Sequence, residues 1–222
     1  VVFDVDGTLL DSDAFDGELY IAAVRQVLGD VEIDASWQRY RNVTDAGVLA
    51  QIVEEVGVLD AERVKSEVRH LFGSLVQRHL ASGGACVAIA GAIDALERLH
   101  SSGYKVGVAT GGWGHTARMK LDRAGIPVEN LVIASSDDSA DRVEIMTTCL
   151  LRLGGDPQHA IYVGDGLWDL EASRKAGWGF IGVGARLRGR CDNWIADFTD
   201  EAWRLPLRST WSHEGKWIRE RD

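Results

Sequence analysis

The chain has 222 residues, 45% hydrophobic and 26% charged, with 34 acidic against 24 basic side chains. That length holds one large or two small domains around a real core, and the composition is that of an ordinary globular protein. A net charge of −10 argues against bulk electrostatic binding to nucleic acid or an anionic membrane, yet it allows a small anionic substrate where a metal and local cations reverse the field in a cleft.

Val1-Val2-Phe3-Asp4-Val5-Asp6 opens the chain and reads as a buried strand of a parallel sheet. Its two carboxylates stand two positions apart, so both can point the same way. Gly7-Thr8 breaks the strand. Convergent carboxylates repel unless a cation or a shared proton relieves them. Mg²⁺ suits an all-oxygen site and keeps positions for water and a phosphate oxygen. The same residues also suit a solvated turn after a strand.

Apolar residues then recur at helical spacing in three runs, Phe15 to Leu28, Val48 to Val56 and Val64 to Val76, so residues 13–85 read as a helical unit. Ser82-Gly83-Gly84 marks its end. Beyond it helix and strand alternate. Helices are expected over Ile93 to Leu99, Thr116 to Ala124, Val143 to Leu153 and Leu170 to Ala176. Strands are expected over 105–110, 131–134, 160–164 and 180–183. That alternation indicates βαβ units and a doubly wound α/β parallel sheet, with ligands beyond the carboxyl ends of its strands.

The strand ends carry the candidate chemistry. Thr110, followed by Gly111-Gly112, offers a hydroxyl and exposed N–H groups to phosphate oxygens, or simply a turn. Asp165 and Asp169 stand four apart after Gly164, so one helical turn can put them on one face.

Asp4-Val5-Asp6-Gly7-Thr8 resembles the DxDGT signature of the haloacid dehalogenase superfamily, and Gly164-Asp165 through Asp169 resembles its GDxxxD motif. The resemblance covers roughly residues 1–200 and is to the phosphoglycolate-phosphatase-like subgroup with a helical cap. It implies a Rossmann-like core over 1–12 and 86–205, a cap over 13–85 and a C-terminal tail over 206–222 containing Trp211 and Trp217. Thr110 then matches the family's second motif, although Gly111 stands where many relatives have Asn. The family's third-motif cation is usually Lys, and Arg142 is the nearest candidate here, with a surface partner such as Asp138 or Asp141 as the alternative.

The family chemistry makes Asp4 the nucleophile and Asp6 the acid–base group. Asp4, Asp165, Asp169 and the backbone carbonyl of Asp6 would hold Mg²⁺, while Thr110, Gly111 and Arg142 would bind phosphate. Arg41, Thr44 and Asp45 fall in the loop where relatives contact substrate, and Thr44 or Asp45 equally suits a helix N-cap. Trp113 and Trp168 flank this site, either against a leaving group or as packing. The implied activity is hydrolysis of a small phosphate monoester, on a phosphorylated metabolite. Alternatives are a phosphomutase, a phosphonate hydrolase relying on Lys65 as the only cap lysine, or a catalytically silent binding protein. Neither a nucleic-acid nor a membrane partner is expected: the net charge of −10 opposes both, no run reaches about 18 apolar residues and no leader pattern is expected. Cys86, Cys149 and Cys191 are scattered, which suggests reduced thiols in a cytoplasmic setting. The sequence leaves oligomeric state open.

Overall fold

Alternation of side chains along each strand sends one set of apolar residues to each face of a sheet. The computed structural model, which describes residues 1–129, 131–204, 209–211 and 217–219, shows this directly. In chain order the strands are β1 (Val2–Phe3), β2 (Leu10–Asp11), β3 (Val87–Ala88), β4 (Gly107–Ala109), β5 (Val132–Ala134), β6 (Ile161–Gly164), β7 (Gly179–Val183), β8 (Trp194–Ile195), β9 (Ser209–Trp211) and β10 (Trp217–Arg219). The helices are α1 (Asp13–Leu28), α2 (Asp45–Val56), α3 (Ala61–Ala81), α4 (Ala92–Ser101), α5 (Gly114–Arg123), α6 (Arg142–Arg152) and α7 (Leu167–Ala176).

Six parallel strands form the main sheet in the order β5-β4-β1-β6-β7-β8. Val2 pairs with Tyr162, which pairs with Phe180. These three join Ile145, Met146 and Trp178 in the core on one face. Their strand neighbours Phe3, Val163 and Ile181 join Leu99, Leu121 and Ile126 on the other. A third core lies among α1, α2 and α3, where Tyr20, Val24, Leu49, Val68 and Phe72 pack with Trp113.

The helical unit leaves and rejoins the core at one point. β2 and β3 pair antiparallel there, Leu10 opposite Ala88 and Asp11 opposite Val87. The fold is thus a parallel-sheet α/β core with an inserted helical cap. The sequence pattern does not reveal β2, β3 or β8, because two-residue strands are too short to show a period. In the tail, β9 and β10 pair antiparallel, and the other residues of 206–222 lie outside the described residues.

Candidate active site

Register brings the candidate groups to one edge. Phe3 is level with Val108 and Val163, so Asp4, Thr110 and Asp165 all leave the sheet at its carboxyl end. Asp4 N–H donates to the Val163 carbonyl at 2.9 Å. Gly7 adopts φ +75°, and a Cβ there would lie 2.4 Å from Asp165 Oδ2. Only glycine lets the first loop approach the third this closely.

Oxygens of Asp4, Asp165 and Asp169 lie within 4.8 Å of one another, and all three residues are buried. Burial first, then the charge of Asp169, pushes the Asp4 carboxyl well above its ordinary range, against the pull of Arg142. Burial and the charge of Asp169 push Asp165 up to about 8, with Arg186 opposing. Burial likewise raises Asp169, with Arg142 opposing. Clustered, desolvated carboxylates of this kind are relieved by a hard divalent cation, and an all-oxygen donor set suits Mg²⁺. The residues therefore fit a divalent metal.

Arg142 is the first residue of α6, whose N-cap Asp141 accepts from Val143 N–H at 2.7 Å and Glu144 N–H at 3.3 Å. From there its Nη1 lies 3.2 Å from Asp4 Oδ1 and 2.9 Å from Asp169 Oδ1. Its Nη2 donates to the Val43 carbonyl at 2.8 Å. Burial opposes its charge, but Asp169, Tyr162 and Asp4 outweigh that and hold it protonated. Its Nε is buried without a hydrogen-bond partner among the described residues, an unmet donor of the kind an anion satisfies. The surface alternative does not hold, because Asp138 pairs with Arg152 and Asp141 caps α6.

Asp6 stands apart from the carboxylate cluster. Lys120 Nζ lies 2.6 Å from its Oδ1 and 2.7 Å from its Oδ2, and Ser12 Oγ donates to Oδ1 at 2.5 Å. The same Nζ contacts Asp16 Oδ1 on α1 at 2.6 Å. Burial, then the charge of Asp6, raises Asp16 to about 7, with Lys120 opposing. Sequence reasoning missed Lys120, Asp16 and Arg186. A signal for Lys120 existed: it shares the buried face of α5 with Thr116, Ala117 and Leu121, where a cation needs a partner.

Thr110 is buried, and its Oγ1 accepts from Gly112 N–H at 3.1 Å. Asp4, Asp6, Thr110, Gly111, Gly112 and Arg142 line one cavity of about 90 Å³, lined on the cap side by Asp16, Tyr20, Trp37, Thr44 and Asp45. The cap loop divides. Thr44 caps α2, accepting from Gly47 N–H at 3.0 Å, and donates to the Ala140 carbonyl at 2.8 Å. Asp45 Oδ2 accepts from Trp113 N–H at 2.9 Å. Arg41 instead pairs with Glu54 at the surface, outside the cavity lining. Trp113 is buried in the cap core against Tyr20 and Phe72. Trp168 lines the cavity, with the Arg186 guanidinium 5.3 Å from its ring centre.

Comparison with known proteins agrees with this geometry. Residues 1–183 match the family model of the haloacid dehalogenase-like hydrolases. The N-acetylmuramic acid 6-phosphate phosphatase of Pseudomonas aeruginosa is 30% identical over 189 residues, covering 80% of this chain and 77% of that protein. The pyrophosphatase PpaX of Bacillus velezensis is 27% identical over 192 residues, covering 85% and 84%. A solved hydrolase from Pseudomonas syringae superposes with a TM-score of 0.75 at 20% identity, covering 92% of this chain and 96% of that one, a likeness of fold. With its aspartate cluster at the carboxyl edge of the sheet, the chain belongs to the haloacid dehalogenase-like hydrolases.

Proposed function

We propose that the protein is a Mg²⁺-dependent phosphatase that hydrolyses a small phosphate monoester through an aspartyl-phosphate on Asp4. The observation that carries this reading is the placement of buried Asp4 between an arginine with an unmet donor and two further carboxylates, facing a small cavity. The proposed division is a core of 1–12 and 86–205, a cap of 13–85 and a tail of 206–222.

Asp4 attacks phosphorus in line, and the P–O bond to the alcohol breaks. Arg142 and the N–H groups of the Thr110-Gly111-Gly112 turn neutralise the equatorial oxygens. Asp6 protonates the departing oxygen, then takes a proton from the water that cleaves the aspartyl-phosphate. Asp4, Asp165, Asp169 and the Asp6 carbonyl would hold Mg²⁺, which supplies charge neutralisation at the phosphoryl group. The docked cap keeps bulk water from the intermediate. Lys65 pairs with Glu62, so nothing favours the phosphonate reading. Three cysteines that form no disulfide, two of them buried, fit the expected cytoplasmic setting.

Phosphate release from a panel of esters, with Mg²⁺ or EDTA, tests the reading. Metal-dependent release lost in Asp4→Asn supports it. Absence of release from every ester would overturn it.

A further inference from the structure

We propose that Lys120 is a positioning residue for the acid–base carboxylate Asp6, clamping it to the docked cap at the point where the leaving alcohol departs. This rests on the reading of Asp6 as the acid–base group.

An ammonium has three N–H donors. Lys120 spends its Nζ on three carboxylate oxygens, both of Asp6 and one of Asp16, at 2.6 to 2.7 Å. Its side chain is 1% exposed. Burying a charged lysine is costly, and an apolar residue of similar size is often as good for stability. The group it holds is the informative part. Asp6 Oδ1 has a second partner in Ser12, whereas Oδ2 has Lys120 alone among the described residues. Oδ2 also faces Gly112 of the phosphate turn, lying 3.8 Å from where a Cβ of Gly112 would stand. Asp6 therefore keeps one oxygen fixed by the clamp and still open toward the turn that would hold the phosphoryl group.

The clamp spans two parts of the fold. Asp6 follows β1, Lys120 lies in α5, and Asp16 lies in α1, which packs with the cap core. Asp45, at the start of α2, also lines this corner of the cavity. Without the lysine, Asp6, Asp16 and Asp45 would repel one another, and Asp6 would lose its fixed direction. A proton donor displaced by about 1 Å can cost on the order of 100-fold in rate.

The test compares kcat/KM on p-nitrophenyl phosphate with that on the best alkyl phosphate of the panel. This constant stops at departure of the alcohol, so acid assistance matters for an alkoxide and little for p-nitrophenolate. Lys120→Met is expected to lower the alkyl value by about 100-fold and the aryl value by less than about 5-fold. Lys120→Arg should recover much of the loss, and Lys120→Met should add little in an Asp6→Asn background. If Lys120→Met does not fold, Asp16→Asn loosens the same clamp and should show the same selective alkyl loss. Equal losses on both esters, or a full further loss in the Asp6→Asn background, would overturn the proposal and leave Lys120 a structural residue. A wild-type protein inactive on both esters is a separate result: it overturns the phosphatase reading, and the Lys120 role falls with it.

Discussion

Gly111 has no side chain where Arg142 needs the space. A Cβ at Gly111 would lie 2.3 Å from Arg142 Nη2 and 3.1 Å from the Val43 carbonyl. The glycine after Thr110 and the arginine at 142 thus occupy touching positions. The arginine head, bulkier than an ammonium, fills the place of a side chain next to Thr110.

Replacing Gly111 by Asn should therefore act through Arg142. The guanidinium would swing away, leaving Asp4 and Asp169 with less counter-charge. The fold should lose little, because the displaced group is the end of a long side chain. Activity should fall by about 10- to 100-fold, as when one charge-stabilising donor is lost. Gly111→Asn combined with Arg142→Lys should be better than the product of the two single effects, a coupling of about 1 kcal/mol or more. Kinetics of the two single variants and the double variant measure it, and strict additivity would sink the idea.

Metal-free protein should lose stability as pH rises. Asp16 at about 7 and Asp165 at about 8 hold protons in the fold that unfolded carboxyls, near 3.8, have already shed. The folded state binds more protons between about pH 4 and 8, so this stabilisation is full below about pH 4, shrinks progressively as pH rises and is gone once pH has passed through 7 to 8. The slope is at most about 1.4 kcal/mol per pH unit for each proton. Urea midpoints in EDTA should fall from pH 5 to 8, and Mg²⁺ should flatten the profile by replacing the proton at Asp165. A flat profile in EDTA would contradict it.

Much of this site is legible in the sequence because its parts are local. Asp4 and Asp6 share one strand end, Asp165 and Asp169 share one helical turn, and Thr110 ends a buried strand. Long helices such as α1 and α3 were equally readable. Lys120 was not, because its role depends on Asp6 and Asp16, more than 100 positions away. Arg186 meets Asp13 from the far end of the chain, 173 positions away, and Asp165 from 21 positions away. The cap loop was ambiguous for another reason: Thr44 and Asp45 suit capping and ligand contact alike, and only the fold shows Thr44 using both of its hydrogen-bonding functions.

That double use predicts a structural effect for Thr44. Thr44→Val removes an N-cap and a bond from cap to core, about 1–2 kcal/mol of stability together. KM should rise while kcat changes little, because the cavity closes less well and the reacting groups are untouched. Thermal unfolding with kinetics checks both parts. A large loss of kcat at unchanged stability would instead make Thr44 a contact to substrate.

The cavity also predicts a preference in leaving groups. Asp16 and Asp45 line its cap side together with Tyr20 and Trp37, and Arg142 is the one cation among the described residues that line it. That arginine faces Asp4 and Asp169, and Lys120 is already taken by Asp6 and Asp16. A second anionic group on the alcohol side would meet carboxylates and rings without a free cation, and like-charge juxtaposition costs several kcal/mol. Neutral hydroxylated esters should therefore exceed carboxylated ones by about 10-fold or more in kcat/KM. Glycerol 1-phosphate against 2-phosphoglycolate is a direct comparison. Faster turnover of the carboxylated ester would mean that the cap supplies a cation to the bound state that its docked arrangement does not present.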